Sequence, residues 1–194
     1  MSTISVKESG FFIYLIGFPG SGKLSTAVEL SKRVGAVILS SAIFNNIIFS
    51  ITEFSNSEVP DEVWSRILEV RKVMLDVIAK YPTQSKNYIF TNELLNGDIY
   101  DTQVYNSVVE LSKKINTYIL PVVLHCKNDE LIRRIQSKER YLNRKITDPV
   151  FALKRIKEKK LFVPDGAFEI DNSELTIKEV ADLILNKIEE CQKN

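Results

Sequence analysis

The chain has 194 residues, which is enough for one domain with a full hydrophobic core and short for two. Its 26 basic and 25 acidic residues leave a net charge of +1, so charge gives no basis for binding nucleic acid or a membrane surface. Two cysteines are too few for a disulfide framework, and no residue set spaced like a zinc site accompanies them. The N-terminal residues contain no apolar run of signal-peptide length. We therefore expect a single domain over residues 1–194 that is soluble and cytoplasmic, with a small molecule or a protein as its partner.

The most informative segment follows the first apolar run, Phe11–Ile16, and leads into a segment of helical character. It reads Gly-Phe-Pro-Gly-Ser-Gly-Lys over Gly17–Lys23. Glycines let backbone N–H groups approach phosphate oxygens, and a helix N-terminus adds partial positive charge. We predict that Lys23 reaches the β- and γ-phosphates of a nucleotide. The predicted nucleotide-binding residues of this loop are Gly17, Pro19, Gly20, Ser21, Gly22, Lys23, Leu24 and Ser25.

One position departs from the usual phosphate-loop pattern. A Ser or Thr normally follows the lysine because its hydroxyl binds Mg²⁺, but here the residue is Leu24, which has no oxygen in its side chain. Ser25 and Thr26 come next. We predict that Ser25 makes the metal contact; the alternative is that both hydroxyls bond only within the first helical turn.

Four further apolar runs have the length of strands, and segments long enough for helices separate them. They are apolar on consecutive residues, which is typical of parallel strands covered by helices on both faces. The alternation predicts an α/β fold with right-handed crossovers. The runs are Ala36–Leu39, Tyr88–Phe90, Tyr118–Leu124 and Phe168–Ile170.

Helix signals fill the connections. Apolar residues repeat every three or four positions over Asp61–Lys80, and Pro82 follows as a stop. A second such pattern covers 104–115. Asp148-Pro149 begins a helix predicted to run to about Leu161, and a capping box at Thr176 begins the last one. A polar loop over Ser55–Pro60 and a basic segment over Ser137–Thr147 fit no regular element.

The polar residues directly after the strands are the candidate site, because the carboxyl ends of parallel strands meet at one edge of the sheet. Glu93 is the only acid immediately after the third strand, and it is either a metal-shell or acceptor-orienting group or a surface residue. His125 is either a base or, more commonly at a strand end, structural. Four arginines suit phosphate oxygens but could also only solvate a helix face: Arg133, Arg134, Arg140 and Arg144.

Taken in order, these motifs resemble the small P-loop kinases of the shikimate kinase, gluconate kinase and chloramphenicol phosphotransferase kind. The resemblance covers nearly the whole chain, although only the phosphate loop is highly specific. It implies a P-loop NTPase three-layer sandwich, with a five-stranded parallel sheet of order 2-3-1-4-5, helices on both faces and a short basic lid at about 137–147. It also implies ATP and Mg²⁺ as cofactors and a small-molecule acceptor.

The resemblance assigns roles to individual side chains. Lys23 holds the β- and γ-phosphates, and Arg140 or Arg144 closes over the transferred group. Arg133 or Arg134 lies near the adenine. The loop Asp171–Glu174, with Asn172, flanks the base.

One departure bears on activity. In these kinases an Asp after the second strand usually engages the acceptor hydroxyl, whereas this chain has Ser40-Ser41-Ala42. Either Glu93 or Asn45 replaces that acid, or the chain binds nucleotide without transferring phosphate. We therefore predict an ATP-dependent phosphotransferase acting on a small hydroxyl-bearing acceptor. The alternatives are a nucleotide-binding module or slow ATPase without kinase activity, and a zeta-type toxin that phosphorylates a nucleotide sugar.

Overall fold

A computed structural model describes residues 10–52, 59–137 and 148–193. The predicted basic lid, with Lys138, Arg140, Arg144 and Lys145, lies outside the described residues, as does most of the predicted Ser55–Pro60 loop. Five strands and seven helices alternate through the described residues: β1 (Phe11–Ile16), α1 (Lys23–Val34), β2 (Val37–Ser40), α2 (Ser41–Phe49), α3 (Asp61–Lys80), β3 (Tyr88–Asn92), α4 (Ile99–Lys114), β4 (Tyr118–His125), α5 (Asn128–Ile135), α6 (Pro149–Glu158), β5 (Phe168–Asp171) and α7 (Ile177–Lys193).

The strands form one parallel sheet in the order β2-β3-β1-β4-β5, which confirms the expected topology. Strand β1 lies at its centre, where Ile16 pairs with Asn92 of β3 and with Val123 of β4. All six residues of β1 are at most 1% exposed, because helices cover both faces of the sheet. The ends of β1, β3 and β4 therefore lie side by side at the carboxyl edge.

Alternate residues of β1 enter two separate cores. Phe11, Ile13 and Leu15 pack against α1 and α7 on one face. Phe12, Tyr14 and Ile16 pack against α2, α3 and α4 on the other. The second core is rich in aromatic rings, and Tyr14 stacks on Phe90 with ring centroids 5.7 Å apart. The three-layer sandwich is thus built on the side-chain alternation of a single strand.

The predicted element boundaries agree with the structure to within a few residues, with two differences. Helix α2 begins directly after β2, in a segment for which the sequence analysis assigned no element. Helix α6 ends at Glu158 rather than near Leu161, because Leu161 instead forms an antiparallel bridge with Leu95. Two backbone hydrogen bonds flank this bridge: the Phe162 N–H donates to the Leu94 carbonyl, and the Asn96 N–H donates to the Lys160 carbonyl, each at 2.9 Å.

Both predicted caps are present. The Asp148 carboxylate accepts the Val150 N–H at 2.8 Å, and Thr176 and Glu179 exchange hydrogen bonds at the start of α7. In the described parts of the chain, every helix is too short or too polar to cross a lipid bilayer.

The buried side chain of Asn87 ties the first strand to the first helix. Its Oδ1 accepts the Phe11 N–H, and its Nδ2 donates to the Val34 carbonyl, each at 3.0 Å. We expect Asn87→Ala to lower the free energy of unfolding by about 2 kcal/mol, since it leaves buried backbone groups without partners. Urea denaturation measures this. Asn106→Ala, on the exposed face of α4, is the control, and an equal effect in both variants would contradict the expectation.

Candidate active site

The phosphate loop, Gly17–Lys23, connects β1 to α1 at the carboxyl edge of the sheet. Gly20 and Gly22 have φ angles of 92° and 89°, in the left-handed region that favours glycine. A Cβ atom on Gly17 would collide with the Ser21 hydroxyl and lie 2.9 Å from the Leu124 carbonyl oxygen. A Cβ atom on Gly20 would lie 2.8 Å from Ile135 of α5. The loop therefore depends on glycine at these positions, and its backbone forms the cradle that phosphates need.

Lys23 lies folded over this loop. Its Nζ donates to the carbonyl oxygens of Gly17 at 2.6 Å and of Phe18 at 2.9 Å. These bonds hold the ammonium group above the turn, where anionic oxygens bound to the loop would meet it. A cation beside a ring of backbone N–H groups is an arrangement suited to a polyphosphate.

The residues after Lys23 differ in exposure. Leu24 is half-buried, the Ser25 side chain is exposed on the first turn of α1, and Thr26 is buried. Of these two hydroxyl-bearing residues, Ser25 is thus the one whose side chain is exposed to solvent. Among the described residues, no group of three or more His, Cys, Asp or Glu side chains could hold a metal.

The structure separates the two arginines that the sequence analysis grouped. Arg134 reaches the phosphate loop region, where it donates to the side-chain oxygen of Asn172 at 3.0 Å and to its carbonyl at 2.9 Å. Arg133 points away, and its side chain is 75% exposed against 23% for Arg134. Both pair with Glu130, and these hydrogen bonds lower the pKa of that carboxyl. Arg134 is therefore the arginine of this pair that is placed to face a nucleotide.

The side chain of Asn172 is hydrogen-bonded to the phosphate loop. It is 3% exposed, and its Nδ2 donates to the Ser21 carbonyl at 2.7 Å. Its backbone N–H donates to the His125 carbonyl at 2.9 Å, which continues the pairing of β4 with β5. The predicted nucleotide-binding residue thus contacts the loop itself and fixes one of its carbonyl groups.

His125, the last residue of β4, interacts with the neighbouring strand β5. Its Nε2 lies 2.7 Å from the Glu169 carboxylate of β5. The neighbouring Cys126 lines a cavity of about 150 Å³ beside the loop, together with Phe18, Leu131 and Ile156. Burial raises the pKa of the Cys126 thiol. Ser21 and His125 also line this cavity, so its wall combines apolar and polar groups beside the loop.

Glu93 lies directly after β3, where its carboxylate accepts a hydrogen bond from Arg155 of α6 at 2.7 Å. Burial is the largest influence on the pKa of Arg155 and lowers it, but the hydrogen bond to Glu93 and the surrounding carboxylates together raise it. The candidate base is thus half of an ion pair that links the end of β3 to the helix after the predicted lid.

Two charged residues that the sequence analysis did not single out are Arg71 and Asp101, and Glu93 influences the second of them. Arg71 of α3 is 1% exposed, and its guanidinium carbon lies 4.0 Å from the centroid of the Phe44 ring. Its Nε, one of its terminal nitrogens and the buried Tyr100 hydroxyl make no hydrogen bond of regular geometry among the described residues, but this hydroxyl is close enough to the guanidinium to raise its pKa. Burial lowers the pKa of Arg71. One signal was available in the sequence: Arg71 falls between Ile67 and Leu75 on the core-facing stripe of α3.

Asp101 is the second of these residues. It is half-buried in the first turn of α4, where its Oδ2 accepts the Leu95 N–H at 2.7 Å. Burial raises the pKa of Asp101 to about 7, and the charges of Asp98 and Glu93 also raise it, while the hydrogen bond from Leu95 opposes the shift. Asp101 and Arg71 are close enough for the carboxylate to influence the pKa of the guanidinium.

Hydrogen bonds through Asn92 connect the phosphate loop to Tyr14, which lies near Arg71 and Asp101. The Asn92 carbonyl accepts the Gly17 N–H at 3.3 Å, and its side-chain oxygen accepts the Tyr14 hydroxyl at 3.1 Å. The charge of Arg71 acts on Tyr14, although burial dominates and raises the pKa of this tyrosine. The hydrogen bonds therefore run from the phosphate loop to the buried Tyr14, on which the charges of Arg71 and Asp101 also act.

Comparison with known proteins places these features in a family. A family model described as an AAA domain matches residues 13–150. No curated protein matches the chain.

Solved structures with the same fold include three kinases. They are a sugar kinase from Janibacter sp. HTCC2649 (12% identity, TM-score 0.61, covering 93% of this chain and 95% of that one), a gluconokinase from Sinorhizobium meliloti 1021 (14%, 0.59, 97% and 100%) and the shikimate kinase from Acinetobacter baumannii in complex with shikimate (16%, 0.55, 96% and 97%). At these identities the likeness establishes the fold.

The raised pKa of Asp101 predicts a dependence of stability on pH. The carboxyl titrates near 3.8 in the unfolded chain and at about 7 in the folded one. The folded state therefore binds the proton more tightly, and this residue makes the protein less stable as pH rises from about 4 to about 7. We expect the free energy of unfolding of Asp101→Asn, relative to wild type, to increase between about pH 4.5 and about pH 8. Urea denaturation at both pH values measures this.

The control is Asp76→Asn, at an exposed carboxylate of α3. A pH-independent difference between Asp101→Asn and wild type would contradict the expectation.

Proposed function

Because this chain belongs to the AAA-domain family, we propose that it is an ATP-dependent phosphotransferase acting on a small hydroxyl-bearing acceptor. The observation that carries this proposal is the phosphate loop, in which the Lys23 ammonium is held at 2.6 Å from the Gly17 carbonyl and the backbone has no room for a Cβ atom at Gly17 or Gly20. A loop of this kind binds the phosphate chain of a nucleotide.

The loop residues fit a nucleotide triphosphate. In the bound state Lys23 exchanges its carbonyl partners for the β- and γ-phosphate oxygens, and Arg134 with Asn172 lies on the side from which a base would approach. Ser25 supplies the proposed hydroxyl contact to Mg²⁺, a cation that neutralises charge on the transferred phosphoryl group. The proposed closing residues Arg140 and Arg144 belong to the segment outside the described residues.

Glu93 is the proposed acceptor-orienting group. It lies one residue beyond Asn92, whose carbonyl is bonded to the phosphate loop, and Arg155 fixes its direction. In direct in-line transfer, the acceptor oxygen attacks the γ-phosphorus, the bond to the ADP oxygen breaks, and the hydroxyl proton passes to Glu93. Because such transition states are loose, positioning by Glu93 contributes more than proton removal.

A second candidate function is nucleotide binding with slow ATP hydrolysis and no transfer. Two observations favour it: Leu24 replaces the usual metal-binding hydroxyl, and β2 leads directly into α2 with no acid at the junction. Transfer of phosphate to an acceptor, measured as the phosphorylated product, distinguishes the two functions. Hydrolysis of ATP without any such product supports the second.

Loss of the lysine tests the nucleotide site. Lys23→Ala removes a charged contact worth about 1.5–3 kcal/mol, so ATP binding should weaken by about tenfold or more. Isothermal titration calorimetry measures the affinity. Lys32→Ala, on the exposed face of α1, is the control. Equal affinity of Lys23→Ala and wild type would show that the nucleotide binds elsewhere.

Loss of the carboxylate tests the acceptor side. Glu93→Gln keeps the shape of the side chain but removes its charge, and we expect the rate of phosphate transfer to fall by about 10²-fold, with little change in ATP affinity. Glu110→Gln, exposed on α4, is the control. Transfer at the wild-type rate in Glu93→Gln would exclude this role and leave Asn45 and His125 as the alternatives.

A further inference from the structure

We propose that Arg134 is a positioning residue of the phosphate loop: it acts through Asn172 to hold the peptide bond between Ser21 and Gly22 in the orientation that receives a phosphate chain. This inference rests on the proposed function, because it concerns the same nucleotide site. It predicts that Arg134 contributes to the binding of phosphate groups even in a ligand that has no base.

The guanidinium of Arg134 is bonded to the protein through all three of its nitrogens. Its Nε donates to the Glu130 carboxylate at 2.6 Å. Its two terminal nitrogens donate to the side-chain oxygen of Asn172 at 3.0 Å and to the backbone carbonyl of Asn172 at 2.9 Å. A guanidinium is a rigid planar fork, so these three bonds fix its orientation. Arg134 therefore has a structural task at this site besides any contact with a ligand.

The side chain of Asn172 connects this arginine to the loop. It is buried, and it accepts from Arg134 with its oxygen while its nitrogen donates to the Ser21 carbonyl at 2.7 Å. The next residue, Ser173, accepts the Lys127 N–H at 2.7 Å, which ties the segment after β5 to the start of α5. The amide of Asn172 is thus held at both of its polar atoms, and a displacement of Arg134 would reach Ser21 through it.

The bond to the Ser21 carbonyl sets the direction of the N–H group that follows it. A peptide bond is planar and trans, so its C=O and N–H groups point in opposite directions. Because the Ser21 carbonyl points toward Asn172, the Gly22 N–H points away from Asn172. Gly22 has no side chain to restrict its backbone, so the orientation of this peptide depends on bonds from outside the loop.

Arg134 also lies against the loop directly. A Cβ atom on Gly22 would lie 3.5 Å from the side-chain nitrogen of Asn172 and 3.7 Å from a terminal nitrogen of Arg134. Both groups therefore flank the residue that precedes Lys23 and caps α1. Their loss would leave space into which the peptide between Ser21 and Gly22 could rotate.

The same contacts allow a second interpretation, in which Arg134 attracts phosphates only by its positive charge. A lysine keeps that charge but lacks the planar fork that bonds to two oxygens of Asn172 at once, so Arg134→Lys separates positioning from attraction. Arg133→Lys is the matched control. Arg133 pairs with the same Glu130 carboxylate, but its side chain is 75% exposed and points away from the loop.

The test measures the affinity of the full chain for inorganic tripolyphosphate and for ATP by isothermal titration calorimetry. We expect Arg134→Lys to weaken tripolyphosphate binding by about fivefold or more, and Arg133→Lys to bind it as the wild type does. Asn172→Ala should also weaken this binding. In the double variant of Arg134→Lys with Asn172→Ala the two losses should not add, because both remove the same connection.

Hydrogen exchange of the ligand-free protein tests the order of the loop without any ligand. The backbone amides of the phosphate loop should exchange faster in Arg134→Lys than in the wild type and in Arg133→Lys, while those of β1 keep their wild-type rates. A change confined to the loop distinguishes a loss of positioning from a general loss of stability. The Tm of each variant, measured alongside, shows that it is folded.

Four results would overturn the inference: wild-type affinity of Arg134→Lys for tripolyphosphate, wild-type exchange of its loop, additive losses in the double variant, or no binding of tripolyphosphate by the wild type. Binding of tripolyphosphate and ATP that depends on Arg134, in a protein that phosphorylates no acceptor, would uphold the inference and reject the proposed transfer. Phosphate transfer by the wild type, with tripolyphosphate binding unaffected by Arg134→Lys, would do the reverse.

Discussion

The structure depends on the burial of β1. This strand has a hydrogen-bonded neighbour on each side and helices over each face, so its six residues have almost no contact with solvent. A strand in that position must be apolar on every residue. Accessible loop residues can follow it only beyond its carboxyl end. The phosphate loop is placed at that exit, where the ends of β3 and β4 supply its neighbours. The position of the site therefore follows from the packing of the sheet.

The loop itself is held by groups from distant parts of the chain. Asn172 fixes the Ser21 carbonyl, and Asn92 accepts the Gly17 N–H. Both residues end strands, and the sheet is their common support. The backbone of the loop is thus organised before any phosphate arrives, which reduces the ordering that a ligand must cause.

Much of this arrangement could be predicted from the sequence, because the signals are local. Consecutive apolar residues identified the strands, and glycine spacing with a lysine identified the loop. Helix α2 was missed because Ser41–Phe49 is short and rich in isoleucine and carries no charged residue, so its local pattern does not distinguish helix from strand. The end of α6 was misplaced because the bridge between Leu161 and Leu95 depends on tertiary contacts.

The charged residues Arg71 and Asp101 also could not be brought together from local sequence patterns. The position of Arg71 on the apolar stripe of α3 indicated burial, but its neighbours Phe44 and Asp101 come from other helices. Asp101 does not directly follow a strand, so a search confined to strand ends passes over it. The arrangement of these charges thus depends on how α2, α3 and α4 pack together, which no single segment of the sequence encodes.

The bridge between Leu95 and Leu161 has a consequence for how this site can vary. It joins the β3–α4 connection to the segment after α6, and the Glu93–Arg155 ion pair reinforces the same junction. An insertion in either segment would shift the register of the two backbone bonds and displace Arg155 from Glu93. The connection between α3 and β3, at the opposite edge of the sheet, is held at its end, where the Asn87 side chain bonds to Phe11 and Val34. Changes in loop length should accordingly fall outside both junctions, while variation within them is confined to exchange of side chains.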